Sequence, residues 1–257
     1  MKMKKIIALL LCMLMVFCFA SCADSKDDNK AEKSEGGVLK MATNAYFQPY
    51  EYYEGEKIVG IDAEIAEAIA KKLGMELVIE DMEFESILTA VKSGSVDFGM
   101  AGMTVTEDRL KEVDFSTSYA NGVQVVIVKE GSAITKVDDL SAEGATSKIG
   151  VQLGTTGDTY ATGDFGAERV TQYNNANNAV IALASGDIDC VIIDNEPAKA
   201  LVAANEGLKI LDTAYADEDY AISVKKGNTE LLNKINAAID ELIEDGTVDT
   251  IIAKYIK

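Results

Sequence analysis

A helix, a Ser-Gly stop and a short apolar strand occur twice in this chain in the same order. Ile87–Val91 leads into Ser93-Gly94-Ser95-Val96-Asp97, and Val180–Ala184 leads into Ser185-Gly186-Asp187-Ile188-Asp189, with Ser93 and Ser185 92 residues apart. Ser-Gly alone is a generic helix terminator, but recurrence of the whole order implies two similarly built α/β units. The flanking residues extend each copy. Val38–Thr43 reads as a strand, and Asp62–Leu73 as a helix with Ile65, Ile69 and Leu73 on one face and Gly74 as its stop. Leu77–Ile79, Phe84–Val91 and Val96–Met100 continue as strand, helix and strand. The second unit repeats this with strands at Ile149–Gln152, Arg169–Tyr173 and Cys190–Ile193 and helices at Thr156–Ala161 and Ala176–Ala184. A βαβαβ order implies parallel-type sheets flanked by helices. Gly122–Val128 and Tyr220–Val224 are extended runs that leave the first unit and return to it, and Thr229–Lys257 is helical. The expected fold is therefore α/β, two similar lobes joined by two crossover strands. Residues 38–126 plus 220–257 form the first lobe and residues 127–219 the second.

The N-terminus carries an export signal. Lys2, Lys4 and Lys5 precede an uncharged apolar run from Ile6 to Ala20, followed by Ser21-Cys22. That is the basic, apolar and small-residue sequence of a cleaved leader, and the run falls short of the ~20 apolar residues of a spanning helix. Phe19-Ala20-Ser21-Cys22 resembles the lipobox of bacterial lipoproteins, with Phe19 where Leu is usual. The implied layout is a signal peptide over 1–21, then a lipidated Cys22 with a polar tether over 22–37. The two acyl chains of such a cysteine give stable attachment to the outer face of the cell membrane.

Composition removes several chemistries. The leader holds Cys12 and Cys18 and the lipid would take Cys22, so Cys190 stands alone, without a disulfide partner and on an apolar run where a small buried residue fits. There is no histidine, which excludes Ser-His and Cys-His catalysis and most zinc sites. A net charge of −19, made more negative by loss of the three leader lysines, repels nucleic acid. No cofactor is expected.

From Val38 to Lys257 the chain resembles the polar amino-acid solute-binding proteins of ABC importers, of the type II periplasmic-binding fold. The most specific segment is Gly60-Ile61-Asp62-Ala63-Glu64-Ile65, similar to that family's glycine–apolar–Asp signature and followed by an amphipathic helix that Asp62 is placed to cap. The resemblance implies the ligand site. In Asn44-Ala45-Tyr46-Phe47-Gln48-Pro49-Tyr50 the aromatic two before proline is Phe47, and Phe84 matches a second aromatic, so the two would sandwich the ligand. For both, a plain core anchor is the competing reading. Ala101-Gly102-Met103-Thr104-Val105-Thr106-Glu107-Asp108-Arg109 is similar to the carboxylate site, with the Gly102 N–H, the Thr104 hydroxyl and N–H, and the Arg109 guanidinium as donors. A carboxylate that loses water needs such charge-assisted bonds, and an arginine fork can grip both oxygens. Arg109 and Arg169 are the chain's two arginines among 24 basic residues; the alternative for Arg109 is a surface pair with Asp108 or Glu112. Thr156, opening a helix after a glycine turn, would complete the carboxylate site. Asp194 matches the residue that binds the α-ammonium, or caps the helix that follows, or does both. Asn44 and Gln152 would line the side-chain end. Both are neutral, which points to an uncharged polar ligand such as glutamine.

On this reading a free amino acid bridges the lobes, stabilises the closed cleft and is handed to the importer's permease subunits, by a monomer anchored through its lipid. The crossover segments near Val125–Lys129 and Ala216–Ala221 would be the hinge, and no chemistry is done on the ligand. Two alternatives stand beside it. Cyclohexadienyl dehydratases resemble this family, and such an enzyme would need Glu51, Glu83 or Glu85 as its proton donor. The third is a sensory module that signals to a receptor when closed.

Overall fold

The computed structural model describes residues 36–256. The expected signal peptide, Cys22 and the expected tether up to residue 35 lie outside the described residues. The first lobe begins with β1 (Val38–Thr43), a small hairpin sheet of β2 (Tyr46–Phe47), β3 (Glu51–Glu54) and β4 (Lys57–Val59), and α1 (Ile61–Lys72). It continues with β5 (Glu76–Asp81), α2 (Phe84–Ser93), β6 (Phe98–Gly99), α3 (Glu107–Glu112) and β7 (Val113–Phe115). The chain then enters a second sheet through β8 (Ala120–Lys129), followed by β9 (Ile149–Gln152), α4 (Thr156–Phe165), β10 (Val170–Tyr173), α5 (Ala176–Ser185) and β11 (Cys190–Asp194). After α6 (Asn195–Ala204), β12 (Leu208–Ile210) and β13 (Ala216–Tyr220) it returns as β14 (Ser223–Lys225), then α7 (Thr229–Glu244) and α8 (Thr247–Tyr255).

The first sheet runs β5-β1-β6-β14-β7, and the second β10-β9-β11-β8-β12 with β13 also on β8. Each is parallel in its βαβ core, β1 with β5 and β6, and β9 with β10 and β11. Each becomes mixed where a crossing strand joins it antiparallel, β14 in the first and β8 in the second. The two Ser-Gly stops do what their composition requires. Gly94 and Gly186 both end their helices in the left-handed conformation, φ 79° and 88°, which costs a glycine nothing.

Period-two alternation divides the second lobe's core. Val125 and Ile127 of β8, with Val191 and Ile193 of β11, pack under α5 and α6; Val126 and Val128, with Cys190 and Ile192, pack under α4. Cys190 is fully buried as expected, and burial pushes its thiol up to about 12. In the first lobe α1 places Ile61, Ile65 and Ile69 in a core shared with Phe98, Met100, Ile235 and Ile239, each isoleucine worth ~1.5–3 kcal/mol of burial.

Three expectations are corrected. Asp62 does not cap α1; the N-cap is Gly60, with no side-chain bond, because the Asp62 carboxylate turns inward to accept from the Gly102 N–H at 2.8 Å and the Tyr119 hydroxyl at 2.9 Å. The run Tyr220–Val224 is not one strand, because β13 stays in the second sheet and β14 joins the first. The crossing lies before Val125, since β8 is paired to β11, β12 and β13 along its length. The chain passes between the sheets at residues 116–119 and 221–222. These passages are tied by Ser116 N–H to Ile222 O (2.9 Å) and Tyr119 N–H to Tyr220 O (3.0 Å).

Gly60 shows why the signature segment begins with glycine. Its φ is +125°, and a Cβ there would stand 2.2 Å from the carbonyl oxygen of Tyr50. That contact docks the aromatic loop onto α1, through Ile61 N–H to Pro49 O and Asp62 N–H to Tyr50 O. Gly60→Ala is expected to cost ~2 kcal/mol or more, read as a lowered denaturant midpoint; an unchanged midpoint would show that the loop yields freely.

Candidate ligand-binding site

All ten residues expected at the ligand line one cavity between the lobes: Asn44, Phe47, Phe84, Ala101, Gly102, Thr104, Arg109, Gln152, Thr156 and Asp194. With its open mouth it spans about 530 Å³ of space between the two sheets' carboxyl edges. Most of these residues sit at the carboxyl ends of strands or at helix starts, where an α/β sheet leaves its crevice. Asn44 follows β1, Ala101 and Gly102 follow β6, and Gln152 and Asp194 end β9 and β11. Phe84 and Thr156 open α2 and α4.

Arg109 is placed by its own helix start. Thr106 caps α3 and accepts from the Arg109 N–H at 3.2 Å. The half-buried guanidinium then donates to Thr104 O (2.8 Å) and, across the cleft, to Gly154 O (3.1 Å), and its Cζ lies 5.5 Å from the Phe84 ring centre. The surface pair considered above is not formed. Asp108 pairs with Lys111, and Glu112 with Lys92. Among the described residues no carboxylate oxygen lies within 4.0 Å of the Arg109 guanidinium. Burial pushes it down to about 10, against the pull of Glu218. The cation stays charged at neutral pH and lacks an anion.

Asp194 is its opposite. It is the N-cap of α6, one of the two roles expected of it, accepting from the Glu196 N–H at 3.3 Å, and its buried carboxylate lies on the cavity wall. It also accepts from the Val123 N–H at 3.0 Å and from the Tyr220 hydroxyl. Burial nonetheless pushes it up to about 7.

The expected carboxylate donors are not all free. The Gly102 N–H is committed to Asp62, so it does not face a ligand; the glycine instead leaves room for the Phe47 ring, 2.7 Å from where a Cβ would stand. The Thr104 hydroxyl donates to Glu218 Oε2 at 3.0 Å, because that carboxylate reaches it first. Thr156 is buried at the first position of α4, capped by Thr155, where backbone N–H groups have no intrahelical acceptor. Phe47 is cavity wall and core anchor at once, stacked on Tyr50 at 5.8 Å and touching the cores of both lobes.

Two polar residues were missed by sequence reasoning. Glu218 and Gln124 face the cavity from β13 and β8, with Gln124 Nε2 donating to Glu218 Oε2 at 3.0 Å. Their signal was available. Continuing the period-two pattern from Tyr220 through Asp219 puts Glu218 on the inward face. Glu51 lines the cavity fully buried, and burial, with Asp62 beside it, holds its carboxyl well above the ordinary range. Glu83 and Glu85 are exposed and not on the wall.

Residues 39–257 match the family model described as bacterial extracellular solute-binding proteins, family 3. The arginine-binding extracellular protein ArtP of Bacillus subtilis (strain 168) is 33% identical, over 98% of each chain. Among solved structures, an ancestral arginine-binding protein bound to arginine is 40% identical with a TM-score of 0.79, covering 88% of this chain and all of that one. The same description bound to glutamine is likewise 40% identical, with a TM-score of 0.80 over 85% and 97%. With the two-lobed fold and the interlobe cavity, these matches establish that the chain belongs to the bacterial extracellular solute-binding proteins, family 3.

Proposed function

We propose that this protein captures a free polar amino acid outside the cell and delivers it to the membrane subunits of an ABC importer. One observation carries the reading: a single cavity holds a guanidinium lacking an anion and a buried carboxylate lacking a cation. A zwitterionic headgroup supplies both. Its carboxylate pairs with Arg109, aided by the N–H groups of Thr104 and Thr156, and its ammonium with Asp194. The arginine comes from the first lobe and the aspartate from the second, so the ligand favours the closed cleft by its differential affinity for that form. The hinge lies at the passages beside Ser116–Tyr119 and Ala221–Ile222, so the first lobe comprises residues 38–119 plus 221–257 and the second 120–220, a few residues from the boundary at 126 expected from the sequence. Calorimetric screening of the purified protein against the twenty amino acids, ornithine and cystine tests this. At least one saturable complex is expected, and none at millimolar ligand would sink the reading.

Cys22 carries the lipid, and the tether lets the lobes reach a permease beside the anchor. Cys22→Ser is expected to move most of the protein from the membrane fraction to the medium or periplasm, as followed by fractionation. Membrane association that persists would count against lipidation. An enzymatic role is the second reading, favoured by Glu51 on the cavity wall, whose carboxyl burial holds well above the ordinary range. Glu51 is fully buried with Asp62 as its neighbour, an arrangement that serves the wall better than proton delivery. Prephenate and arogenate are expected to emerge unchanged from incubation with the protein.

A further inference from the structure

The hydrogen-bonding inventory of the cavity is lopsided. At its far end, Asn44 Nδ2 donates to Met82 O (2.8 Å), and Gln152 Nε2 donates to Asn44 Oδ1 (2.9 Å) and Asn174 O (3.2 Å). Each amide is pinned by a backbone carbonyl, so turning either one would set oxygen against oxygen. What remains of Gln152 is its Oε1, an acceptor. At the base, Gln124 Nε2 and the Thr104 hydroxyl are both spent on Glu218 Oε2. Glu218 Oε1 and Gln124 Oε1 are left buried without a partner. The amide donors of Asn44, Gln152 and Gln124 and the Thr104 hydroxyl are all engaged, and the buried unmet oxygens are acceptors. Leaving such oxygens unpaired costs ~1–3 kcal/mol each, which a donor-rich ligand recovers.

Charge points the same way. Apart from Glu51, whose carboxyl burial holds well above the ordinary range, the wall carries Arg109 against Asp194 and Glu218. A zwitterionic headgroup answers Arg109 and Asp194 and leaves the negative charge of Glu218 uncompensated. Glutamine, the ligand expected from Asn44 and Gln152, brings no charge to balance it. A guanidinium or ammonium on the ligand's side chain does, with three to five further donors.

We propose that the ligand is an amino acid whose side chain ends in a hydrogen-bond-donating cation, and that Glu218 is the wall carboxylate that selects it. This rests on the amino-acid reading above. The test compares each cationic amino acid with a neutral partner of similar length by calorimetry: arginine with citrulline, lysine with norleucine. The better of the two cations is expected to bind about tenfold to a hundredfold more tightly than its neutral partner, the size of one charge-assisted hydrogen bond. In Glu218→Gln that ratio is expected to fall to within about threefold while the neutral partner's affinity holds, whereas Glu218→Asp, which keeps the charge, retains the preference. Citrulline, norleucine or glutamine binding as tightly as the cations would overturn the proposal, as would equal weakening of cation and neutral partner in Glu218→Gln. Melting curves of the ligand-free variants separate loss of fold from loss of selection. Absence of binding by every amino acid would instead overturn the amino-acid reading itself.

Discussion

Arg109→Ala is expected to weaken ligand binding by more than about a hundredfold. The ligand's carboxylate would still be drawn out of water into the cleft, and truncating one partner of a desolvated charge pair costs ~2–5 kcal/mol. Arg109→Lys should fall between, because an ammonium keeps the charge but cannot hold Thr104 O, Gly154 O and a carboxylate with one planar fork. Titration calorimetry reads both variants, with a melting curve of the ligand-free protein to separate a local from a global defect. An unchanged affinity in Arg109→Ala would remove the headgroup assignment.

The second large effect is on pH. In the empty cleft Asp194 is held up at about 7, so at pH 6 it is mostly protonated and offers no charge to an ammonium. Binding a cation favours the ionised form and lowers the value in the complex, so binding below pH 7 expels a proton. Affinity should therefore rise with pH through about 7 and fall below it, approaching tenfold per unit at the acid side. Calorimetry in two buffers of different ionisation enthalpy should register proton release near pH 6 and little near pH 8. Asp194→Asn should bind weakly and lose the slope. A wild-type profile flat from pH 5.5 to 8 would place the ammonium elsewhere.

The architecture was legible wherever a residue type had one structural use. Gly94 and Gly186 stop their helices because both must adopt positive φ, and the continuous apolar run Cys190–Ile193 between a Gly-Asp stop and Asn-Glu-Pro reads as an interior strand. The site was legible where a motif couples residue to place, as Thr106 does by capping the turn that aims Arg109. It was illegible where a polar residue had several uses. Asp62 had the composition of a cap and was taken inward by Gly102 and Tyr119, a pairing set across 40 residues by tertiary packing. Glu218 lay among the acids Asp217 and Asp219, and only the phase of β13 distinguishes it from its exposed neighbours. The ligand leaning from Asn44 and Gln152 therefore lacked the carboxylate that most changes the charge of the cavity.

The position of β14 also fixes an order of assembly. It lies between β6 and β7 in the first sheet, yet it is the last strand made, and α7 and α8, which cover that sheet, come later still. The second sheet is drawn from one continuous stretch, β8 to β13, and is complete before residue 223 exists. A chain emerging from its N-terminus can thus finish its second lobe while the first still lacks a central strand and keeps Phe98 and Val113 uncovered. For this topology the second lobe can close before the first, against the usual N-terminal-first order of domain folding.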